Sequence, residues 1–250
     1  MHGFIAMSIY IRDKRQETYT TGCRGDSMTA HLISPAIGAN FAMYLVNMRP
    51  NGTGQSPFKT VERFILVLEG SVEVAIKPQN SAWSVNNSRK NTVSLIANEY
   101  AYFPAGLLHS IRSAHGAGIV VYERKYEIEE GKAHFLSGSV QSQPMKSVPG
   151  EVFELRKLLP ATEEFDFNVH VMDFLPGQHL NVKEVHYNQH GLLLLSGKGI
   201  YRLADQWMPI TQGDALWMAP FCPQWFAALG EKPTRYLIYK DTTIDPIHAR

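Results

Sequence analysis

The chain has only two cysteines in 250 residues, Cys23 and Cys222. That excludes a disulfide framework, and the two read as separate buried thiols in a fold held by its own core. Charge of either sign is not in excess: 24 Lys and Arg stand against 23 Asp and Glu, a formal net charge of +1. With no Lys/Arg run either, the sequence offers no polyanion-binding surface, and a nucleic-acid partner is not expected. No stretch approaches the ~20 apolar residues that a membrane-crossing helix needs, so no membrane partner is expected. The opening MHGFIAMSIYIRDKRQE has no basic region ahead of its apolar segment and no clear cleavage site for a secretory signal. Two glycosylation sequons, at Asn51 (NGT) and Asn86 (NNS), matter only for a chain in the secretory route.

What is present is the signature of strands. Short apolar, β-branched or aromatic runs alternate with Gly, Pro, Asn and Asp at intervals of about 8–12 residues, the spacing of all-β barrels. The runs are 41–46, 63–68, 72–76, 92–96, 100–103 and 118–122 in the first half. In the second they are 168–174, 191–195, 200–203, 215–218, 224–228 and 235–239. A polar stretch from 137 to 150, rich in Ser, Gln and Pro, reads as a linker, and EVFELRKLLP after it reads as a strand or helical turn. The halves repeat one another. VLEGSVEVAI and LLSGKGIYRL each set a glycine turn between apolar strands, and NEYAYFPAGLLHSI and GDALWMAPFCPQWF each run from a polar turn through aromatics to proline. So long a repeat fits a duplicated domain. The expected organisation is a barrel over 1–136, a linker and bridging segment over 137–160, and a second barrel over 161–250.

Chemistry concentrates in GQHLNVKEVHYNQHGLLLLSGKG, residues 177–199. Glu184, His186 and His190 share parity and would project to one face of an extended chain. Six residues of straight strand, however, span about 20 Å at ~3.3 Å each, too far for one ion to bridge. The chain must therefore bend between His186 and His190, and Tyr187-Asn188-Gln189 can supply the turn. The alternative, two histidines one helical turn apart, lacks the glutamate that follows the first histidine in zinc helices.

These residues resemble motif 1 of the cupin superfamily, G-x5-H-x-H-x3,4-E-x6-G. Counting back from Gly197, His190 falls in the Glu slot, His186 in the second His slot and Glu184 in the first. Motif 2, G-x5-P-x-G-x2-H, counted from Gly213, puts Gln224 in its His slot, with Pro220 one place late and Phe221 where glycine is usual. With this ligand set, EVHYNQHG, GIYRL, APFCPQW and YKD closely resemble the plant-type (S)-ureidoglycine aminohydrolases over about residues 29–246.

The resemblance implies an all-β fold of two cupin (double-stranded β-helix, or jelly-roll) barrels. It also implies hydrolysis of (S)-ureidoglycine to (S)-ureidoglycolate and ammonia in purine-ring catabolism. Manganese would be held by Glu184, His186, His190 and Gln224, with Tyr201, Tyr236 and Lys240 contacting substrate. Proton transfer would fall to Glu184 or to water at the metal, with Lys240 and Tyr201 binding carboxylate or ureido oxygens. Direct displacement of ammonia and addition of water to an imine both remain open. The resemblance further implies a homo-oligomer, with an octamer of paired barrels as one form, and residence in the endoplasmic reticulum, with the cytoplasm as the alternative.

The first half lacks this chemistry. Counting back from Gly70, its motif 1 slots hold Arg63, Lys59 and Pro57, and PAGLLH leaves His109 alone in motif 2. One imidazole does not hold manganese, so this half reads as a structural barrel, with Glu62 an ordinary charge near its rim. Two histidines and a carboxylate also suit ferrous iron, so a cupin oxygenase or isomerase is the rival enzyme class. A non-catalytic storage-type bicupin is the third reading.

Overall fold

A computed structural model describes residues 9–11, 27–77, 92–128 and 133–242. In chain order the strands are β1 (Ile9–Ile11), β2 (Met28–Ile33), β3 (Phe41–Met48), β4 (Thr53–Gln55), β5 (Val61–Ile76), β6 (Thr92–Ile96), β7 (Glu99–Phe103), β8 (His109–Arg112), β9 (Ala117–Lys125) and β10 (Leu136–Ser139). There follow β11 (Lys146–Ser147), β12 (Glu154–Lys157), β13 (Phe167–Phe174), β14 (His190–Ser196), β15 (Lys198–Leu203), β16 (Gln206–Thr211), β17 (Ala215–Met218), β18 (Gln224–Leu229) and β19 (Thr234–Asp241). The fold is all-β, as the alternation requires. Among the described residues no helix is long and apolar enough to cross a membrane.

The chain forms two compact units. In the N-terminal unit one sheet runs β10-β7-β5-β9-β3-β2, and β4, β6 and β8 complete it through β5. Its interior is built by residues of one parity, including Val46, Met48, Ile65, Val67, Ile119 and Val121. The sequence predicts two strands joined by a glycine turn at VLEGSVEVAI. The structure instead has one long strand, β5, continuous through Gly70, which has φ of 72°. A bulge between Val67 and Glu69 bends β5 there, so its first half pairs β7 and β9 and its second pairs β6 and β8. A Cβ at residue 70 would lie 2.4 Å from the Gly116 carbonyl oxygen, which restricts the bend to glycine.

Glu62 corrects another expectation. It is fully buried rather than at the rim, accepts a 2.5 Å hydrogen bond from Tyr102 and lies opposite the buried Arg124 of β9. β5 is covered on both faces, so a carboxylate on its second face is satisfied by partners rather than by water.

The C-terminal unit has a sheet ordered β1-β17-β14-β19-β13-β12-β11 and a second ordered β16-β15-β18. Strand β1 pairs β17 in this unit, from Ile9↔Trp217 to Ile11↔Ala215. The polar stretch 137–150 is strand at both ends: β10 pairs β7 in the first unit and β11 pairs β12 in the second. EVFELRKLLP supplies β12, which pairs β13. The core packs Phe174 edge-on against Phe226 (4.9 Å between ring centroids), and Phe226 against Tyr236 (5.4 Å). Leu192, Leu194, Leu216 and Ile238 surround them. That cluster fills one end of the barrel interior. At the other end the same strand faces carry polar groups.

Cys222 is buried, its thiol 3.6 Å from the Pro223 carbonyl. Cys23 and Asn86 lie outside the described residues, and Asn51 is exposed in a turn with φ of 62°.

Candidate active site

His190 opens β14 on the face that carries Leu192 and Leu194, so barrel alternation turns its imidazole inward. Its Nδ1–H donates to the Tyr239 carbonyl at 3.0 Å, which leaves Nε2 as a lone-pair donor inside the barrel. Burial holds this imidazole well below its ordinary pKa, with His186 and Lys240 adding to the effect.

Glu184 and His186 arrive on the long connection from β13, which runs antiparallel along β18. Gly177, Leu180 and Glu184 each donate a backbone hydrogen bond to β18, and Glu184 and Gln224 exchange two, both 2.9 Å. The chain then bends at Tyr187, as the ligand-spacing argument requires. The bend is tied down at both following residues. Asn188 donates to the Asp241 carbonyl at 2.7 Å, and Gln189 accepts from Trp217 Nε1 at 3.2 Å. His186 is thereby brought back beside His190.

The ring nitrogens converge. His186 Nε2 and His190 Nε2 are 3.2 Å apart with their rings nearly perpendicular, and the Gln224 side-chain amide lies 3.0 Å from His186 Nε2. Two neutral imidazoles with lone pairs facing at that distance repel unless a proton or cation lies between them. Bonds of roughly 2.2 Å at right angles about an ion put neighbouring ligand atoms ~3.1 Å apart, close to both observed spacings. Amide oxygen and nitrogen are interchangeable in position, and the oxygen is the atom that would ligate. Tyr201 Oη lies 3.3 Å from the other end of this amide, and with the oxygen turned towards His186 it accepts from the amide N–H. Glu184 Oε2 stands further off, 4.0 Å from His186 Nε2. Consistent with that, no three His, Cys, Asp or Glu side chains among the described residues form a ready cage. The cluster needs Gln224, and a swing of the half-exposed Glu184 carboxylate, to complete a ligand set.

Lys240 lies directly across from His190 on β19. Burial lowers its pKa and Glu184 partly opposes this; burial likewise raises Glu184, and Lys240 partly opposes that. Each group is thus shifted towards its neutral form while each favours the other's charge. Tyr201 and Tyr236 are fully buried, which pushes both phenols well above their ordinary range. All seven residues singled out in the second half are carried by this barrel, and His186, His190, Gln224, Glu184 and Tyr201 are joined by successive approaches of 3.0–4.0 Å.

Two features were not visible in sequence. Phe221, where cupin motif 2 has glycine, has φ of 60°, in the left-handed region that favours glycine. Its N–H donates to His186 O at 2.7 Å, so the strained residue clamps the loop that carries His186. The equivalent Gly106 of the first half has φ of 82°. His170 and Lys157 pair across β13 and β12, and with Asn168, Asn188 and Lys240 they border a cavity of about 240 Å³. Burial, then Lys157, Lys240 and Lys146, lower His170 to a pKa of about 3. The parity of His170 with Met172 and Phe174 is the signal that could have found it.

No family model matches the chain. It is 51% identical to a probable (S)-ureidoglycine aminohydrolase of Oryza sativa subsp. japonica over 223 residues, covering 89% of this chain and 69% of that protein. It is 47% identical to the (S)-ureidoglycine aminohydrolase of Arabidopsis thaliana, covering 89% and 71% respectively. Among solved structures, protein Ylba from E. coli superposes with a TM-score of 0.80 at 25% identity, covering 96% of this chain and 95% of that one. A cupin 2 conserved barrel protein from Leptotrichia buccalis gives 0.64 at 12% identity, covering 93% and 96%. The second of these likenesses shows a cupin barrel fold and no more.

Proposed function

The chain belongs to the (S)-ureidoglycine aminohydrolase family, and from that premise we propose that its C-terminal barrel converts (S)-ureidoglycine and water to (S)-ureidoglycolate and ammonia, with manganese held by Glu184, His186, His190 and Gln224. The observation that carries the reading is the convergence of two neutral imidazole nitrogens and an amide at 3.0–3.2 Å, beside a carboxylate. Mixed oxygen and imidazole ligands without thiolate suit manganese. When bound, the metal supplies Lewis-acid polarisation and a fixed point of attachment for substrate.

The remaining chemistry belongs to the chain. Substrate carries a carboxylate, a ureido group and an amine on one carbon. Lys240, with Tyr201 and Tyr236, offers donors for the carboxylate and ureido oxygens and so fixes which face of that carbon meets water. The reaction forms a C–O bond from water and breaks the C–N bond. One proton must leave the water oxygen and one must reach the departing nitrogen. Glu184, raised by burial towards the working pH range, can take the first and return it. That relay serves direct displacement and imine hydration alike.

On this reading the N-terminal barrel has no metal, the assembly is a homo-oligomer, and the setting is ureide catabolism in the endoplasmic reticulum, where exposed Asn51 would be open to glycosylation. The test is ammonia release from freshly generated (S)-ureidoglycine by manganese-loaded protein, with oxygen uptake recorded on the iron-loaded form. Oxygen consumption without ammonia would replace the hydrolase with a cupin oxygenase.

A further inference from the structure

The N-terminal unit contains a cavity of about 550 Å³, within the ~300–1,000 Å³ typical of small-molecule sites. Much of its wall is apolar, from Val46, Met48, Ile111, Ile119 and Val121, with Phe58 at the border, 86% exposed and available to be covered. Two charged residues also line it, Arg63 and Glu123, cross-strand partners on β5 and β9.

Their bonding defines what the polar end can accept. Arg63 Nε donates to Glu123 Oε1 at 2.7 Å, and Nη2 meets the same oxygen at 2.5 Å. Nη1 donates to the Gln55 carbonyl at 2.7 Å and contacts His109 Nε2 at 3.1 Å. His109 Nδ1 bonds Leu107 O at 2.9 Å, which makes Nε2 an acceptor for the guanidinium. Four of the five Arg63 N–H groups are thus used. One Nη2–H remains, and Oε2 of the same paired Glu123 carboxylate makes no hydrogen bond among the described residues.

A free donor next to a free acceptor, with their charges already paired, is a poor seat for an ion. A carboxylate would face Glu123, and an ammonium would face Arg63. The pattern matches a neutral group that has a carbonyl and an N–H side by side. We propose that this cavity is a second small-molecule site, separate from the metal cluster, which takes a neutral carboxamide, lactam or urea on a compact apolar body. The carbonyl accepts from Arg63 Nη2 and the N–H donates to Glu123 Oε2, while the apolar body lies against Met48 and the valine and isoleucine walls.

The test uses full-length protein loaded with magnesium, a diamagnetic ion that leaves methyl signals near His190 visible, with methyl-labelled methionine and three probes of one size: benzamide, benzoate and benzylamine. Met48 lines the cavity, whereas Met218 pairs with His190 in the other barrel. Benzamide should shift Met48 saturably and leave Met218 unmoved, with benzoate and benzylamine at least about tenfold weaker at Met48. Val121→Phe fills the cavity and should abolish the Met48 response. Glu123→Gln turns the acceptor into a donor and unpairs Arg63, so preference should pass from benzamide to benzoate whether or not Val121→Phe folds. A Met48 signal that ignores benzamide, equal response to benzoate in the wild type, or unchanged selectivity in Glu123→Gln would each overturn the proposal.

Discussion

Acidification should unfold the N-terminal barrel through His109. This imidazole is buried, stacks on Phe103 at 3.8 Å and turns Nε2 to Arg63. Burial lowers its pKa from 6.5 to about 4, the Leu107 carbonyl opposes this, and Arg63 adds to it. Because the folded pKa is depressed, the folded state prefers neutral imidazole. The stability this confers is complete above pH 6.5 and is lost as pH falls towards 4. The full loss is about 3 kcal/mol, of which about 2 kcal/mol is gone by pH 5. His109→Gln keeps an acceptor for Arg63 but cannot titrate. Urea unfolding followed by circular dichroism at pH 7.5 and pH 5.0 should show the wild type losing about 2 kcal/mol more than the variant, or about 1 M in midpoint for a slope near 2 kcal/mol/M. Equal pH dependence would mean that His109 takes up its proton freely in the folded barrel, and the Arg63–His109 contact would then be wrongly drawn.

Metal-saturated Glu184→Gln should bind substrate yet release ammonia at least about a hundredfold more slowly, because an amide accepts no proton at neutral pH. Near-normal turnover would leave Glu184 a ligand only. Gln224→Ala is its control and should recover with added manganese. Tyr201→Phe removes the hydroxyl that supports Gln224 and should weaken manganese about 10–100-fold in a metal titration. Unchanged affinity would confine Tyr201 to substrate contact. Light scattering at micromolar concentration should give a homo-oligomer, and a strict monomer would count against the assembly expected of this family.

Much of the site was legible because its residues obey strand parity. Glu184, His186 and His190 share a face, and the distance they span demanded the bend that Tyr187, Asn188 and Gln189 make. The barrels were legible for the same reason, with every apolar run lying in a strand. What was hidden depended on backbone geometry or on distant partners. Gly70 looks like a turn in sequence, and only the bulge at Val67 and Glu69 shows that β5 passes through it. Glu62 looked exposed because its partners Tyr102 and Arg124 lie 40 and 62 residues away in sequence. Phe221 gave no sign of its left-handed backbone beyond occupying a glycine slot. Arg63 was read as the loss of a ligand, whereas it puts a guanidinium against His109, the motif 2 residue of its own barrel.

On the proposed reading, one metal centre, in the C-terminal barrel, carries the hydrolysis. Metal-free protein titrated with manganese, with bound metal and ammonia release from (S)-ureidoglycine measured on each sample, tests it most directly. Activity should rise in step with occupancy and level off at about one ion per chain, and His109→Ala should leave that endpoint unchanged. Two tightly held ions per chain, or full activity in the metal-free protein, would contradict it.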